Sequence, residues 1–104
     1  MIPITEPEAV QSALRLFVGS DVYVHSEATS FVFVRNFKIC LTAAFLAGAG
    51  PYRAALRYDD HGWLRMEALT HWETDKDGVL LLAGFDDRGR MHTALHLGRE
   101  PFPE

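Results

Sequence analysis

The sequence predicts a mainly β fold with one N-terminal α-helix, its strands forming an antiparallel meander curled into a barrel-like or strongly bent sheet. Three observations predict it. Apolar residues recur at helical spacing only in the first 18 residues, and from residue 21 onward the period falls to two. Three tripeptides ending in Gly then punctuate the second half as hairpin loops: Asp60-His61-Gly62, Lys76-Asp77-Gly78 and Asp87-Arg88-Gly89.

The helix is expected over about residues 5–18. Thr5 and Glu8 have the spacing of a capping box, and Pro7 suits a first turn. Val10, Ala13, Leu14 and Phe17 fall at i, i+3, i+4 and i+7, which makes one apolar stripe facing a core. Gly19 can take the left-handed conformation that stops a helix.

Strand spacing follows. Asp21 to Glu27 places Val22 and Val24 on one face and Tyr23, His25 and Glu27 on the other. Phe31 to Val34 is a second apolar run, and Arg35-Asn36 offers a turn before a third, Phe37 to Ala47. Part of that third run has helical propensity, and strand is the favoured reading. Gly48-Ala49-Gly50-Pro51 then breaks the chain; no helix start follows it, so it reads as a turn and not a phosphate loop.

With Asp60 to Gly62 as a three-residue loop, Tyr58 pairs with Leu64, Leu56 with Met66 and Ala54 with Ala68. The next loop pairs Thr74 with Leu80 and Trp72 with Leu82; the last pairs Phe85 with Met91, Ala83 with Thr93 and Leu81 with Leu95. The three hairpins join four strands, one of them continuous from Trp63 to Thr74, within about seven in all over residues 21–98. Val79 to Phe85 is apolar on both faces and should be covered on both. Val10, Leu14, Phe17, Leu56, Met66, Trp72, Leu80 and Leu82 are the expected core. No internal boundary divides the chain, so residues 1–104 are expected to form a single domain.

Composition excludes several classes of function. The 104 residues are 48% hydrophobic and 23% charged, as in a globular protein. The net charge is -4 with no basic stripe, which argues against nucleic acid as a partner. The longest apolar stretch, Ile39 to Gly50, is shorter than the roughly 20 residues a helix needs to cross a bilayer, so no membrane span is expected. The N-terminus lacks the pattern of a secretory signal, and Cys40 is the only cysteine; a cytoplasmic location is expected.

Tyr23, His25 and Glu27 are the candidate binding residues, because a phenol, an imidazole and a carboxylate along one strand face can line a small-molecule site or do acid/base work. Ser26 points to the opposite face and cannot pair with His25 as nucleophile and base. His92 and His96 lie four residues apart on a strand, about 13 Å, too far to share one ion. No metal and no cofactor are expected. Arg65, Glu67, His71 and Glu73 read as a solvent-facing ladder, and Cys40, between Ile39 and Leu41, as a buried, inert thiol.

Several segments together resemble a known family: Asp-Val-Tyr-Val-His-Ser-Glu at 21–27, Gly-Pro-Tyr-Arg at 50–53, Gly-Trp at 62–63, Glu-Ala-Leu-Thr at 67–70 and Leu-Leu-Leu-Ala-Gly at 80–84. Over nearly the whole chain they look like the YojF family of small bacterial proteins of unknown function. The resemblance implies a β-rich, barrel-like domain with a helix and no assigned catalytic residues. Its members are often encoded beside a deacetylase for the thiol bacillithiol. The functional expectation is a non-catalytic accessory or binding domain linked to low-molecular-weight thiol metabolism. It would act as a homo-oligomer or with an enzyme partner such as a thiol-pathway deacetylase, and could hold a small-molecule ligand. The alternative is a small enzyme using the Tyr23, His25 and Glu27 face.

Overall fold

The computed structural model describes residues 1–104. Helix α1 spans Pro7–Arg15. The strands are β1 (Ile2–Pro3), β2 (Asp21–Ala28), β3 (Val32–Gly48), β4 (Tyr52–Tyr58), β5 (Gly62–Leu69), β6 (His71–Thr74), β7 (Leu80–Phe85) and β8 (Met91–Gly98). They form one antiparallel sheet in the order β1-β6-β7-β8-β2-β3-β4-β5. The sheet is strongly bent, and it does not close into a barrel.

Alternation decides what is inside. Val22 and Val24 of β2, Ile39 and Leu41 of β3, Leu80 and Leu82 of β7 and Leu95 and Leu97 of β8 all face the core, where Val10, Leu14 and Phe17 of α1 meet them. Leu56 and Met66 are buried with them, and Trp72 packs half-buried against the cluster. Removing each such side chain from water contributes roughly 1.5 to 3 kcal/mol, so the core outweighs any local propensity.

Helix α1 is shorter than its sequence pattern because Glu6, not Thr5, is its N-cap, and no side chain caps it. The expected capping box does not form. The chain leaves helical hydrogen bonding after Arg15, and Gly19 is left-handed (φ 88°) where the path turns toward β2.

Four expectations about the strands are corrected. Arg35-Asn36 is not a turn: β3 runs through it for 17 residues, with Asn36 in a left-handed conformation (φ 60°) near a bulge against β2. The Trp63–Thr74 strand is broken after Leu69, where Ala68 is left-handed (φ 61°) and the chain turns a corner into β6. The first hairpin pairs Tyr58 with Gly62, Leu56 with Leu64 and Ala54 with Met66, because Asp59 takes the left-handed place expected of Gly62. That two-residue displacement keeps every side chain on its expected face.

The second hairpin has the expected register, Trp72 opposite Leu82 and Thr74 opposite Leu80. The third starts as expected with Phe85 opposite Met91, then a bulge between Gly84 and Phe85 moves Thr93 opposite Gly84, and Leu81 opposite His96 instead of Leu95. Gly84 is needed there: a Cβ would overlap the Ala68 carbonyl oxygen at the corner and Thr93 Oγ1.

Cys40 is exposed, not buried. The period of two requires it, because Ile39 and Leu41 both point inward. No helix of the chain is long and apolar enough to cross a membrane.

Candidate functional site

Tyr23, His25 and Glu27 share the outer face of β2, as the alternation predicts, and Ser26 is buried on the other side. They are not equivalent there. His25 is only 5% exposed, whereas the Glu27 side chain is 44% exposed and Tyr23 is half-buried. Tyr23 lies opposite Lys38 on β3 and Gly98 on β8 and makes no side-chain hydrogen bond to its two supposed partners.

What covers His25 comes from three other segments. Phe33 of β3 meets its ring edge-on with centroids 5.2 Å apart, and His96 of β8, directly across the strand pair, lies 5.1 Å away. Phe102, from the C-terminal tail, closes the cluster at 6.5 Å from His25 and 6.3 Å from His96. The tail is held by β3. Asn36 Nδ2 donates to the Phe102 carbonyl at 3.0 Å and the Phe102 N–H donates to Asn36 Oδ1 at 2.7 Å. Arg35 Nε donates to the Pro103 carbonyl at 2.7 Å, with its guanidinium 5.3 Å from the Phe102 ring centroid.

Arg35 also settles the state of His25. Its NH1 group lies 3.1 Å from His25 Nδ1, and a guanidinium can only donate, so Nδ1 accepts. The ring proton is then on Nε2, which donates to Glu27 Oε1 at 3.2 Å. Arg35, His25 and Glu27 form one donor-to-acceptor chain with both imidazole nitrogens engaged. A buried histidine so arranged has no free nitrogen for acid/base work.

His96 differs. Its Nε2 is buried without a partner. Burial pushes its pKa down from 6.5 to about 4, helped by the nearby His25 and Arg35 and opposed by Glu27 and Asp75, so the ring is neutral at pH 7. Beside it, between the β6–β7 turn and the tail, lies an open cavity of about 580 Å³ with His96, Leu81 and Phe102 in its lining. Nowhere do three His, Cys, Asp or Glu side chains converge as metal ligands would.

Sequence reasoning missed Arg35, His96 and Phe102 as members of this cluster. Arg35 was hidden by its reading as a turn residue, His96 because the pairing of β8 with β2 is marked by no local turn, and Phe102 because an irregular tail has no period to read. The sequence also did not signal that the neighbouring hairpin tip would stay bare. Phe31 is 88% exposed and Phe33 65%, with Val32 and Val34 exposed beside them.

Three comparisons place the chain. The model of a family described as "Protein of unknown function (DUF1806)" matches residues 3–102. The chain is 30% identical over 109 residues to "Uncharacterized protein YojF" of Bacillus subtilis (strain 168), covering 91% of this chain and 93% of that protein. The crystal structure of Bacillus subtilis YojF superposes with a TM-score of 0.87 at 32% identity, over 95% of this chain and 94% of that one. Family model, sequence and fold agree from end to end, and the chain belongs to the DUF1806 family, that of YojF.

Proposed function

We propose that this protein is a non-catalytic accessory domain that binds another protein through the tip of its β2–β3 hairpin. One observation carries the reading: four consecutive large apolar residues, Phe31 to Val34, are exposed at that tip. Contiguous exposed apolar surface of this kind marks a contact site in soluble proteins. The backbone supports it. Val32–Ile39 of β3 pairs with β2 along one edge, and no strand pairs with the other. An open edge lined by apolar side chains is a template for an added strand.

The partner proposed is an enzyme of low-molecular-weight thiol metabolism such as a bacillithiol deacetylase; that choice rests on the family resemblance alone. A second copy of the chain is the other occupant the edge would accept, since antiparallel pairing of identical edges is self-complementary. A cytoplasmic setting belongs to the proposal, because a lone, exposed Cys40 suits a reducing compartment. The alternative, acid/base catalysis by Tyr23, His25 and Glu27, is disfavoured by the closed hydrogen-bonding of His25.

The test is titration of the purified chain into a purified bacillithiol deacetylase, with light scattering of the chain alone alongside. Saturable binding, weakened at least about tenfold by the double variant Phe31→Ser/Phe33→Ser, is expected. Turnover of a substrate by the chain alone, abolished by His25→Ala in a protein that remains folded, would establish the enzyme reading instead. A monomer that neither binds the deacetylase nor turns over substrate would overturn the proposal.

A further inference from the structure

A second histidine on the outer face of the sheet is arranged in the opposite way to His25. His71 follows Thr70 at the corner between β5 and β6 and lines a cavity of about 690 Å³ that shares no lining residue with the His25 cluster. Sequence alternation places it on a solvent-facing ladder with Arg65 and Glu67. The corner removes it from that ladder and leaves it half-buried, its ring edge-on to Phe85 with centroids 4.8 Å apart.

Three groups converge on Thr70 Oγ1, and their distances order them. The Phe85 N–H donates to it at 3.0 Å, so its own proton goes elsewhere. His71 Nδ1 lies at 2.7 Å, while the Ala83 carbonyl lies at 3.5 Å and already accepts the Thr70 N–H at 2.9 Å. At 3.5 Å the carbonyl is too far for a good hydrogen bond, so the hydroxyl donates to Nδ1 at 2.7 Å, which puts the ring proton on Nε2. Nε2 has no partner within the chain and is not sealed off from solvent. A fixed backbone amide thus orients a hydroxyl, the hydroxyl fixes a tautomer, and the tautomer presents one N–H donor.

The rest of the cavity defines what that donor can meet. Phe85 and the half-exposed Met91 supply apolar wall, and the methionine side chain adapts to varied shapes. Asp86 and Asp87 also line it, as does Met1, whose N-terminal ammonium is paired with Glu73 at 3.1 Å. The backbone N–H of Arg90 holds the Asp86 carboxyl below its ordinary pKa, aided by the Arg88 N–H and the Arg90 side chain, so it stays charged. With the Met1 ammonium neutralised by Glu73, the two carboxylates of the lining repel an anionic ligand. The volume lies in the range of small-molecule sites.

We propose that this cavity binds a small uncharged ligand with an apolar or aromatic body and a carbonyl oxygen, which accepts the Nε2–H of His71. The site is independent of the hairpin contact proposed above. It is tested on the whole chain with benzamide as the probe and benzoate as its anionic counterpart, followed by NMR of the His71 imidazole, the Phe85 ring and the Met91 methyl. Saturable benzamide shifts confined to these groups are expected, with benzoate at least about tenfold weaker. His71→Phe should weaken benzamide about tenfold, the loss of one hydrogen bond. Thr70→Val should weaken it too and abolish the Nε2–H signature in the imidazole nitrogen shifts, which a merely structural threonine would leave unchanged. Absence of saturable shifts at these groups overturns the proposal, as does equal binding of benzoate. Undiminished binding to a folded His71→Phe protein does the same. If both variants fail to fold, the wild-type comparison of the two probes decides.

Discussion

From Leu41 to Gly48, β3 has β4 along one edge and helix α1 along the other. There the Gln11 side chain stands in for a strand, Nε2 donating to the Ala44 carbonyl at 2.8 Å and Oε1 accepting the Leu46 N–H at 2.7 Å. From Val32 to Ile39 the same strand has β2 along one edge and no strand along the other, its Arg35 and Asn36 side chains reaching the tail that packs over His25 of β2. The bare half begins at the more aromatic end of the run. Exposure at the tip therefore comes from lack of cover, not from polar sequence. A chain that had only itself to satisfy would put polar residues there, and this contrast is the ground for the contact proposed at the hairpin.

The largest effect that sharpens the contrast is expected in the covered half. Leu41 is fully buried, so Leu41→Ala should destabilise by roughly 3 kcal/mol, a cavity plus the lost transfer energy. A thermal melt should fall by about 15 °C for a domain of this size. A drop of only a degree or two would mean that the covered half is no more committed than the bare one.

Gln11→Ala attacks the cover itself. It leaves the Ala44 carbonyl and the Leu46 N–H without partners along that edge, at a cost of roughly 2 kcal/mol. It should also create a second open edge, so self-association measured by light scattering should rise. Unchanged stability in this variant would show that the packing of Val10, Leu14 and Phe17, not the amide, shields the strand.

These features differ in how far the sequence revealed them. Val22, Val24, Leu80 and Leu82 were legible because a period of two fixes their face whatever their partners are. The side of β2 carrying Tyr23, His25 and Glu27 was legible for the same reason. Register was legible only up to the first irregularity. The Gly84 bulge lies against the Ala68 carbonyl of the β5–β6 corner, and the pairing that brings His96 to His25 joins β8 to β2, two strands that no hairpin connects. Arg35 could not be seen as the anchor of the tail, because its partners, Pro103 and Phe102, lie 68 and 67 positions away. Gln11 looked like an ordinary polar position on α1, since nothing local marks a side chain that completes a sheet.

The tail that anchors on the bare half carries a pH signature. Facing His96 are His25 and Glu27 from β2, Arg35 from β3 and Asp75 from the β6–β7 turn. Its pKa is about 4 in the fold against 6.5 when unfolded, so between those values the unfolded chain binds a proton that the folded one does not. Stability is then fully present above pH 6.5 and falls as the pH drops toward 4, by roughly 1 to 2 kcal/mol once the solvent reaching the ring is allowed for. Denaturant midpoints across this window should show the slope, and His96→Phe should flatten it. A slope of the opposite sign would mean that the ring is charged against Glu27 in the folded protein.

The smallest expected effect is the one that most directly separates the two halves of β3. Phe31 and Phe33 keep 88% and 65% of their surface in water, so Phe31→Ser/Phe33→Ser removes little buried area. The part that is buried is chiefly the edge of Phe33 against the His25 ring, a contact worth at most about 1 kcal/mol. The melting temperature of the isolated chain should therefore move by no more than a few degrees, while solubility rises as the apolar tip is lost. A fall comparable to that of Leu41→Ala would mean that the tip is already buried in solution, against a second copy of the chain. The melt would then depend on protein concentration for the wild type and not for the variant. Either result distinguishes a tip kept apolar for an external partner from one kept apolar for its own kind.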